Sequence, residues 1–428
     1  MASFENNSVA VIDTAKNSVT ATVAVGSGPT AVAINPDGTR AYVANFESGS
    51  VSVIDTTINS VIATVPVGSF PFGVAVTPNG KSVYVTNNGD STVSVVDTTT
   101  NKVVATVPMV ATPDGVAVTP DGKTVYVADL GFEAVSVIST ATNSVVATIP
   151  LPVFAFEVAV TPDGKYVYVT NGDSNMVSVI ATASNAVVTT IPVGNFARGL
   201  AITPDGLRAY VTNYFAGTVS AINTTTNKVI ATFPVPSGVY DIAITPDGKH
   251  AYVTNNEVAK LGAISVIATA SNTVVATVPV NGAPEGVGIM PPPMTIPFLV
   301  FKAKLEIERN SFELNASFTL KSTASIAPLT EPVTLSVGTF TTTIPPGSFK
   351  QDRDGDKFKF EGKINGVRLE VVIRATGTLR YSFEAEAERA NLAGTKNPVP
   401  VTLAIGNNGG TTSVKARFDD DRSASRDD

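Results

Sequence analysis

A phrase of the form Thr-Pro-Asp-Gly returns with its proline at 36, 78, 120, 162, 204 and 246, a fixed step of 42 residues. A second phrase, Tyr-Val-Thr-Asn or a close variant, keeps that step from Tyr42 through Tyr84, Tyr126, Tyr168 and Tyr210 to Tyr252. A third, Val-Ser-Val-Ile-Asp or similar, begins at Val9, Val51, Val93, Val135, Val177, Val219 and Ile264; a fourth, such as Val103-Val104-Ala105-Thr106-Val107-Pro108, also occurs seven times. Only the last step lengthens, where residues 257–262 carry an insertion. Within each phrase β-branched residues alternate with small or polar ones, the period of a half-buried strand. Asp-Gly, Asn-Gly and Thr-Asn-Lys turns separate the phrases. Four short strands in a unit of about 40 residues predict a propeller blade. A helical solenoid would show a 3.6-residue period inside each unit, and none is visible.

Tyr84-Val85-Thr86-Asn87 is the phrase that names the YVTN β-propeller repeat family, and the chain resembles that family over residues 2–290 or thereabouts. The resemblance implies an all-β fold, with strands A to D running from a central channel to the rim of each blade. Seven copies predict a seven-bladed β-propeller at 1–290. The N-terminus is expected to supply strands C and D of one blade (Ser8–Ile12 and Val19–Val25), and Gly286–Met290 its strand A, so the chain ends close the ring. Ala2-Ser3-Phe4-Glu5 aligns with Ala44-Asn45-Phe46-Glu47, which leaves most of strand B missing from that blade. Strands A and C run the same way and cannot pair as antiparallel neighbours. A segment within Thr295–Lys302 is expected to fill the gap, although Pro297 weakens it; residues upstream of Met1 are the competing source.

The remainder differs in composition. Charged residues are 15% of the chain, with 30 before position 295 and 35 after it. The proline-rich stretch 291–297 reads as a stiff linker. Beyond it, Phe301, Ala303, Leu305 and Ile307 alternate with Lys302, Lys304, Glu306 and Glu308, and further strand-like runs predict a smaller β-sandwich at 298–418. Phe383–Ala393 is Ala- and Glu-rich, but its alternation favours a strand. Residues 419–428 read as a disordered charged tail.

Side-chain inventory narrows the chemistry. The chain has no cysteine, no tryptophan and one histidine, His250, so thiol catalysis, disulfides and multi-His or multi-Cys metal sites are excluded. His250 sits at the position held elsewhere by Arg40, Ser82, Thr124, Tyr166 and Arg208, which predicts an exposed strand residue away from the channel mouth. That counts against likeness to histidine-dependent propeller lyases of the virginiamycin B lyase type. It also counts against haem-binding relatives, since no Cys-x-x-Cys-His is present. Net charge is −7, which disfavours nucleic acid, and no apolar run reaches the roughly 20 residues of a membrane span.

Candidate site residues come from the loops that vary between copies. Six residues before each repeat proline stand Thr30, Phe72, Asp114, Phe156, Arg198, Tyr240 and Glu285; one position later come Ala31, Gly73, Gly115, Glu157, Gly199, Asp241 and Gly286. These lead into the innermost strand and should ring the channel mouth. Phe72, Asp114, Phe156, Glu157, Arg198, Tyr240, Asp241 and Glu285 are therefore the ligand- or partner-binding candidates, with no catalytic residue assigned. Arg198 suits a carboxylate or phosphate, and the carboxylates suit a hard cation. Against this, loop tips vary freely and Arg198 could simply pair with a neighbouring acid. Asp352, Asp354 and Asp356 resemble the start of a calcium loop but depart from it at Lys357 and Lys363; a solvated hairpin tip with an Asp-Gly turn is the favoured account, so no cofactor is expected and calcium is kept only as a weak candidate. Nearby aromatics (Phe46, Phe70, Phe132, Phe154, Phe196, Tyr214 and Phe215) suggest an interaction surface. The expected function is a non-enzymatic, bacterial-type binding scaffold for a protein, glycan or small molecule. A lactonase-like hydrolase or lyase at the mouth, and a structural cell-envelope component, are the alternatives. Cysteine absence fits an extracellular or cell-surface location, although this sequence carries no signal peptide.

Overall fold

The computed structural model describes residues 1–418 apart from 152, 237, 257–260, 291–295, 298–299, 309–310, 321–325, 327, 330–332, 346, 365, 393–394, 396–398 and 406–407. The fold is all-β, a seven-bladed propeller followed by a smaller sandwich. Residues divide into two compact units, Met1–Pro292 and Pro293–Asp428.

The first unit holds six four-stranded sheets and one three-stranded sheet. In blade 2 the strands are Pro29–Ile34 (A), Arg40–Asn45 (B), Ser50–Asp55 (C) and Ser60–Pro66 (D). The same antiparallel order recurs in blade 3 (71–108), blade 4 (113–150), blade 5 (158–192), blade 6 (197–234) and blade 7 (239–281). Strands B and C are buried almost throughout, because both their faces meet neighbouring blades. Strand D alternates between exposed and half-buried residues, as a rim strand must.

Two residues of the repeat tie blades 3 to 7 each to the blade that follows. The tyrosine of strand B sends its hydroxyl to the asparagine of the following blade's C–D turn: Tyr84 to Asn143 (2.6 Å), Tyr126 to Asn185 (2.9 Å), Tyr168 to Asn227 (2.6 Å) and Tyr210 to Asn272 (2.9 Å). Tyr252 does the same to Asn17 at 2.8 Å, across the chain-end joint. Each acceptor asparagine sits in the left-handed region (Asn143 φ 49°, Asn17 φ 50°), which asparagine tolerates better than most residues. One residue thus makes the turn and anchors the neighbour.

Blade 1 closes the ring with Ala2–Ser3, Ser8–Asp13 and Ser18–Ala24. The Ala2 amide donates to the Gly286 carbonyl (2.8 Å), Glu285 donates to Ala2 (3.0 Å), and Phe4 donates to Ala283 (3.0 Å). The chain ends therefore pair, but the strand expected over Gly286–Met290 does not form: residues 286–290 carry no strand. The expected gap filler is also overturned. Ile296–Pro297 pairs with Asn408–Gly409, and Val300–Lys302 pairs with Ser317–Thr319, so these residues serve the second unit's own ladders. His250 opens strand B of blade 7 and is half-buried rather than exposed.

The second unit contains a seven-stranded and a five-stranded sheet around one apolar core, which includes Leu314, Phe318, Ile373 and Phe383 from one sheet and Leu335, Val401 and Leu403 from the other. Arg380–Glu388 is a strand with alternate residues buried; of the expected linker 291–297, Ile296–Pro297 form a strand while 291–295, like the expected tail 419–428, lie outside the described residues.

Removing the hydroxyl of Tyr168 should destabilise the chain by about 1 kcal/mol in urea titrations, the net worth of one buried hydrogen bond. Tyr42→Phe, at the repeat whose hydroxyl has no acceptor, should change stability by less. Equal losses would contradict the anchoring role.

Candidate functional site

The threonine of strand B determines where the mouth residues stand. Its hydroxyl accepts from an amide thirteen residues earlier in the same blade, as Gly73 to Thr86 (2.7 Å) and Gly199 to Thr212 (2.8 Å). It then donates to a ring carbonyl of the next blade: Thr86 to Asp114, Thr170 to Arg198 (both 2.7 Å), Thr212 to Tyr240 and Thr254 to Glu285 (both 2.8 Å). Where alanine replaces threonine, other groups make the bridge. Thr30 donates to the Phe72 carbonyl at 2.9 Å beside Ala44, and the Gly115 amide donates to Phe156 at 2.8 Å beside Ala128. Neighbouring A strands consequently approach so closely that a Cβ on Gly199 would lie 2.6 Å from the Tyr240 carbonyl oxygen, and one on Gly286 would lie 2.3 Å from that of Thr30. Glycine at these positions is steric in origin.

The structure brings most of the candidate residues together. A small cavity of about 50 Å³ on the axis is lined by Phe72, Asp114, Phe156, Glu157, Arg198, Tyr240 and Asp241, with Thr30, Ala31 and three glycines completing the wall. Glu285 stands beside it, close enough to Arg198 and Asp114 for their charges to act on it.

Arg198 is the ring's cation. Its guanidinium carbon lies 3.7 Å from the centroid of the Tyr240 ring and 5.8 Å from that of Phe156, and Nη2 donates to the Tyr240 hydroxyl. Four carboxyls surround it in a narrow, poorly hydrated space. Burial pushes Asp114 up to about 7 and Glu285 up to about 7, with Arg198 pulling both downward. Asp241 rises to about 6 through burial, restrained by the Val287 (2.8 Å) and Ile242 (2.7 Å) amides that donate to it. Glu157 is pushed well above the ordinary carboxyl range by burial and by the charges of Asp241 and Asp114. Burial also raises the Tyr240 hydroxyl and lowers the Met1 amine to about 5. The arrangement is a cluster of acids that cannot all be ionised together.

Among the described residues no group of three or more Asp, Glu, His or Cys side chains converges as a metal-binding set. In the second unit Asp352 caps its own hairpin, accepting from Gly355 at 2.9 Å, while Asp354 and Asp356 are exposed.

Two aromatic groups flank the mouth. Phe46 stacks on Phe70 at 4.8 Å and lies near Phe4 and Phe72; Phe196 meets Phe156, Tyr214 and Phe215 at 4.7 to 6.1 Å. Phe70 and Phe196 have φ of 52° and 60°, at a repeat position where blades 2 and 7 carry Gly28 and Gly238. A bulky side chain in the left-handed region costs roughly 1–2 kcal/mol, and sequence reasoning had no means to see that strain beyond the glycine at the equivalent positions.

Residues 12–145 match the family described as Lactonase, 7-bladed beta-propeller. No curated protein matches. Hydrazine synthase of Kuenenia stuttgartiensis is similar in structure, with a TM-score of 0.57, 23% identity and coverage of 74% of this chain and 95% of that one. A functionally unknown protein from Desulfotomaculum acetoxidans DSM 771 gives 0.61 and 17%, covering 68% of this chain and 98% of its own. At these identities the two structures support the propeller fold alone. No described helix is long and apolar enough to cross a membrane.

The mouth acids make stability depend on pH. Their folded pKa values lie above the unfolded values near about 4, so the native state binds more protons and stability falls as pH rises from about 4 through about 7. The Met1 amine opposes this trend between about 5 and 8, but it is one group against four. Surface acids held below their usual range, such as Asp121, act below about pH 4, outside that window. Urea midpoints should decline over the window, and Asp114→Asn with Glu285→Gln should flatten the slope. A midpoint that climbs instead would contradict the buried cluster.

Proposed function

We propose that this chain is a non-enzymatic, bacterial-type binding scaffold of the YVTN-repeat kind, working at the cell surface or outside the cell. Its variable-loop face would dock a protein or glycan through aromatic rings grouped around the channel mouth. The observation that carries this is the strained placement of Phe70 and Phe196 where glycine would fit without cost. Strain held at a solvent-facing aromatic marks a position kept for contact. Phe70 is 48% exposed, and Phe215, packed on Phe196, is 65% exposed. Rigid rings with few rotamers are efficient binding anchors. The axial cavity of about 50 Å³ is far below the roughly 300 Å³ where small-molecule pockets begin.

A lactonase-like hydrolase is the second reading, favoured by the family match over residues 12–145 and by carboxyls raised to about 7, which suits a general base near neutrality.

One set of variants separates the two. Phe70→Gly should leave thermal stability unchanged or higher, yet weaken retention of the chain on bacterial cell walls or surface proteins, with Phe215→Ala weakening it further. Arg198→Ala should leave retention intact. Turnover of a lactone or aryl-ester panel by the wild type, lost in Glu157→Gln, would overturn the scaffold assignment.

A further inference from the structure

The wall of the axial cavity carries acceptors that no donor of the chain answers. Asp114 is 5% exposed and lines the cavity, yet among the described residues no group donates to its carboxyl. The other acids are engaged to different degrees. Asp241 commits both oxygens to its own wall, Oδ1 to the Ile242 amide and Oδ2 to the Val287 amide. Glu157 Oε1 accepts from the Val158 amide (3.1 Å) and lies over Gly115, where a Cβ would come within 2.6 Å of it. Glu157 Oε2 and the carboxyl of Glu285 accept from no described residue. Arg198 is the cation at hand, but it makes no ion pair among the described residues. Its Nη2 donates to the Tyr240 hydroxyl and its guanidinium rests on the Tyr240 ring.

A buried acceptor without a donor costs more than the hydrogen bond it lacks would return. The missing group can be read from the wall. It donates in several directions, because the open acceptors come from blade 4, from the entry to blade 5 and from Glu285 at the chain-end joint. It is positive, because Asp114, Asp241 and Glu285 outnumber Arg198 even when Glu157 keeps its proton. It is small. One water takes about 10–15 Å³, so a space of about 50 Å³ admits a head group of a few heavy atoms. Phe72 and Phe156 make part of the wall apolar, which suits hydrocarbon attached to that head. A carboxylate or phosphate would face the four acids, and no three of these converge as a metal-binding set among the described residues.

We propose that the axial cavity is a socket for a primary ammonium group on an unbranched methylene stem, with Asp114 and Glu285 as its charge partners, Glu157 Oε2 as a third acceptor and Phe72 and Phe156 beside the stem. The same chemistry is offered by a lysine side chain of another protein and by a free alkylamine. The socket lies on the axis and does not depend on docking at the outer aromatic rings.

Isothermal titration calorimetry tests it on the full chain at constant ionic strength and pH 8, where Asp114 and Glu285, raised to about 7, are ionised. n-Butylammonium chloride should bind saturably and one-to-one. Tetramethylammonium, which carries the charge without N–H donors, should not, and neither should sodium acetate. Asp114→Asn should weaken butylammonium roughly tenfold, the worth of one charge-assisted hydrogen bond, and Glu285→Gln should weaken it by less. Both replacements are neutral and keep the shape of the side chain. Asp129→Asn, at a buried acid of blade 4 that does not line the cavity, should leave the affinity unchanged. Nα-acetyl-lysine N-methylamide separates the sources: affinity equal to that of butylammonium assigns the socket to a partner's lysine, and exclusion of the blocked lysine assigns it to a free amine. Either result upholds the socket. Absence of saturable butylammonium binding, equal binding of tetramethylammonium, tighter binding of acetate, or indifference to both Asp114→Asn and Glu285→Gln overturns it. None of these outcomes bears on retention through Phe70, so the two readings fail separately.

Discussion

In most blades strand B holds its blade to the next at two depths. Near the axis its threonine hydroxyl accepts from one blade and donates to the ring carbonyl of the following blade, and near the rim its tyrosine reaches the following turn asparagine. Apolar packing between blades supplies most of the cohesion, but it is non-directional. The two hydroxyls fix register and spacing. They also explain why strand B tolerates so little variation while the loops around it vary freely.

The chemistry of the mouth follows from that spacing. A strands drawn together until glycine is required at positions such as 199 and 286 leave an axial space too narrow for bulk water. Carboxyls placed there lose hydration and hold their protons more tightly, and Arg198, resting on Tyr240, offsets only part of the loss. The same tightness leaves little room for a small molecule on the axis.

Much of this architecture was legible in the sequence. The step of 42 residues gave the blades, and the variable positions before each proline gave the ring that the structure assembles, from Thr30 round to Gly286. Periodicity reports strands well because each must alternate or be buried on both faces. Less visible were features that depend on neighbours distant in sequence. Thr295–Lys302 carries enough apolar residues to suit either unit, and only the competing ladders of residues 317–319 and 408–409 decide between them. The strain at Phe70 and Phe196 shows only when their φ values are set beside Gly28 and Gly238. The role of the turn asparagines was hidden because a turn alone already explains an asparagine.

Closure of the ring through its chain ends is the claim on which the mouth depends. Ser3 and Pro284 are bridge partners across that joint, and antiparallel partners lie within disulfide reach. With no native cysteine to interfere, the doubly substituted chain Ser3→Cys, Pro284→Cys reports the joint directly. Mild oxidation should yield a monomeric disulfide in near-quantitative amount, seen as a faster-migrating band on non-reducing gels, with the circular dichroism of the parent. Thiols that stay free, or that link only between chains, would show the ring to be open.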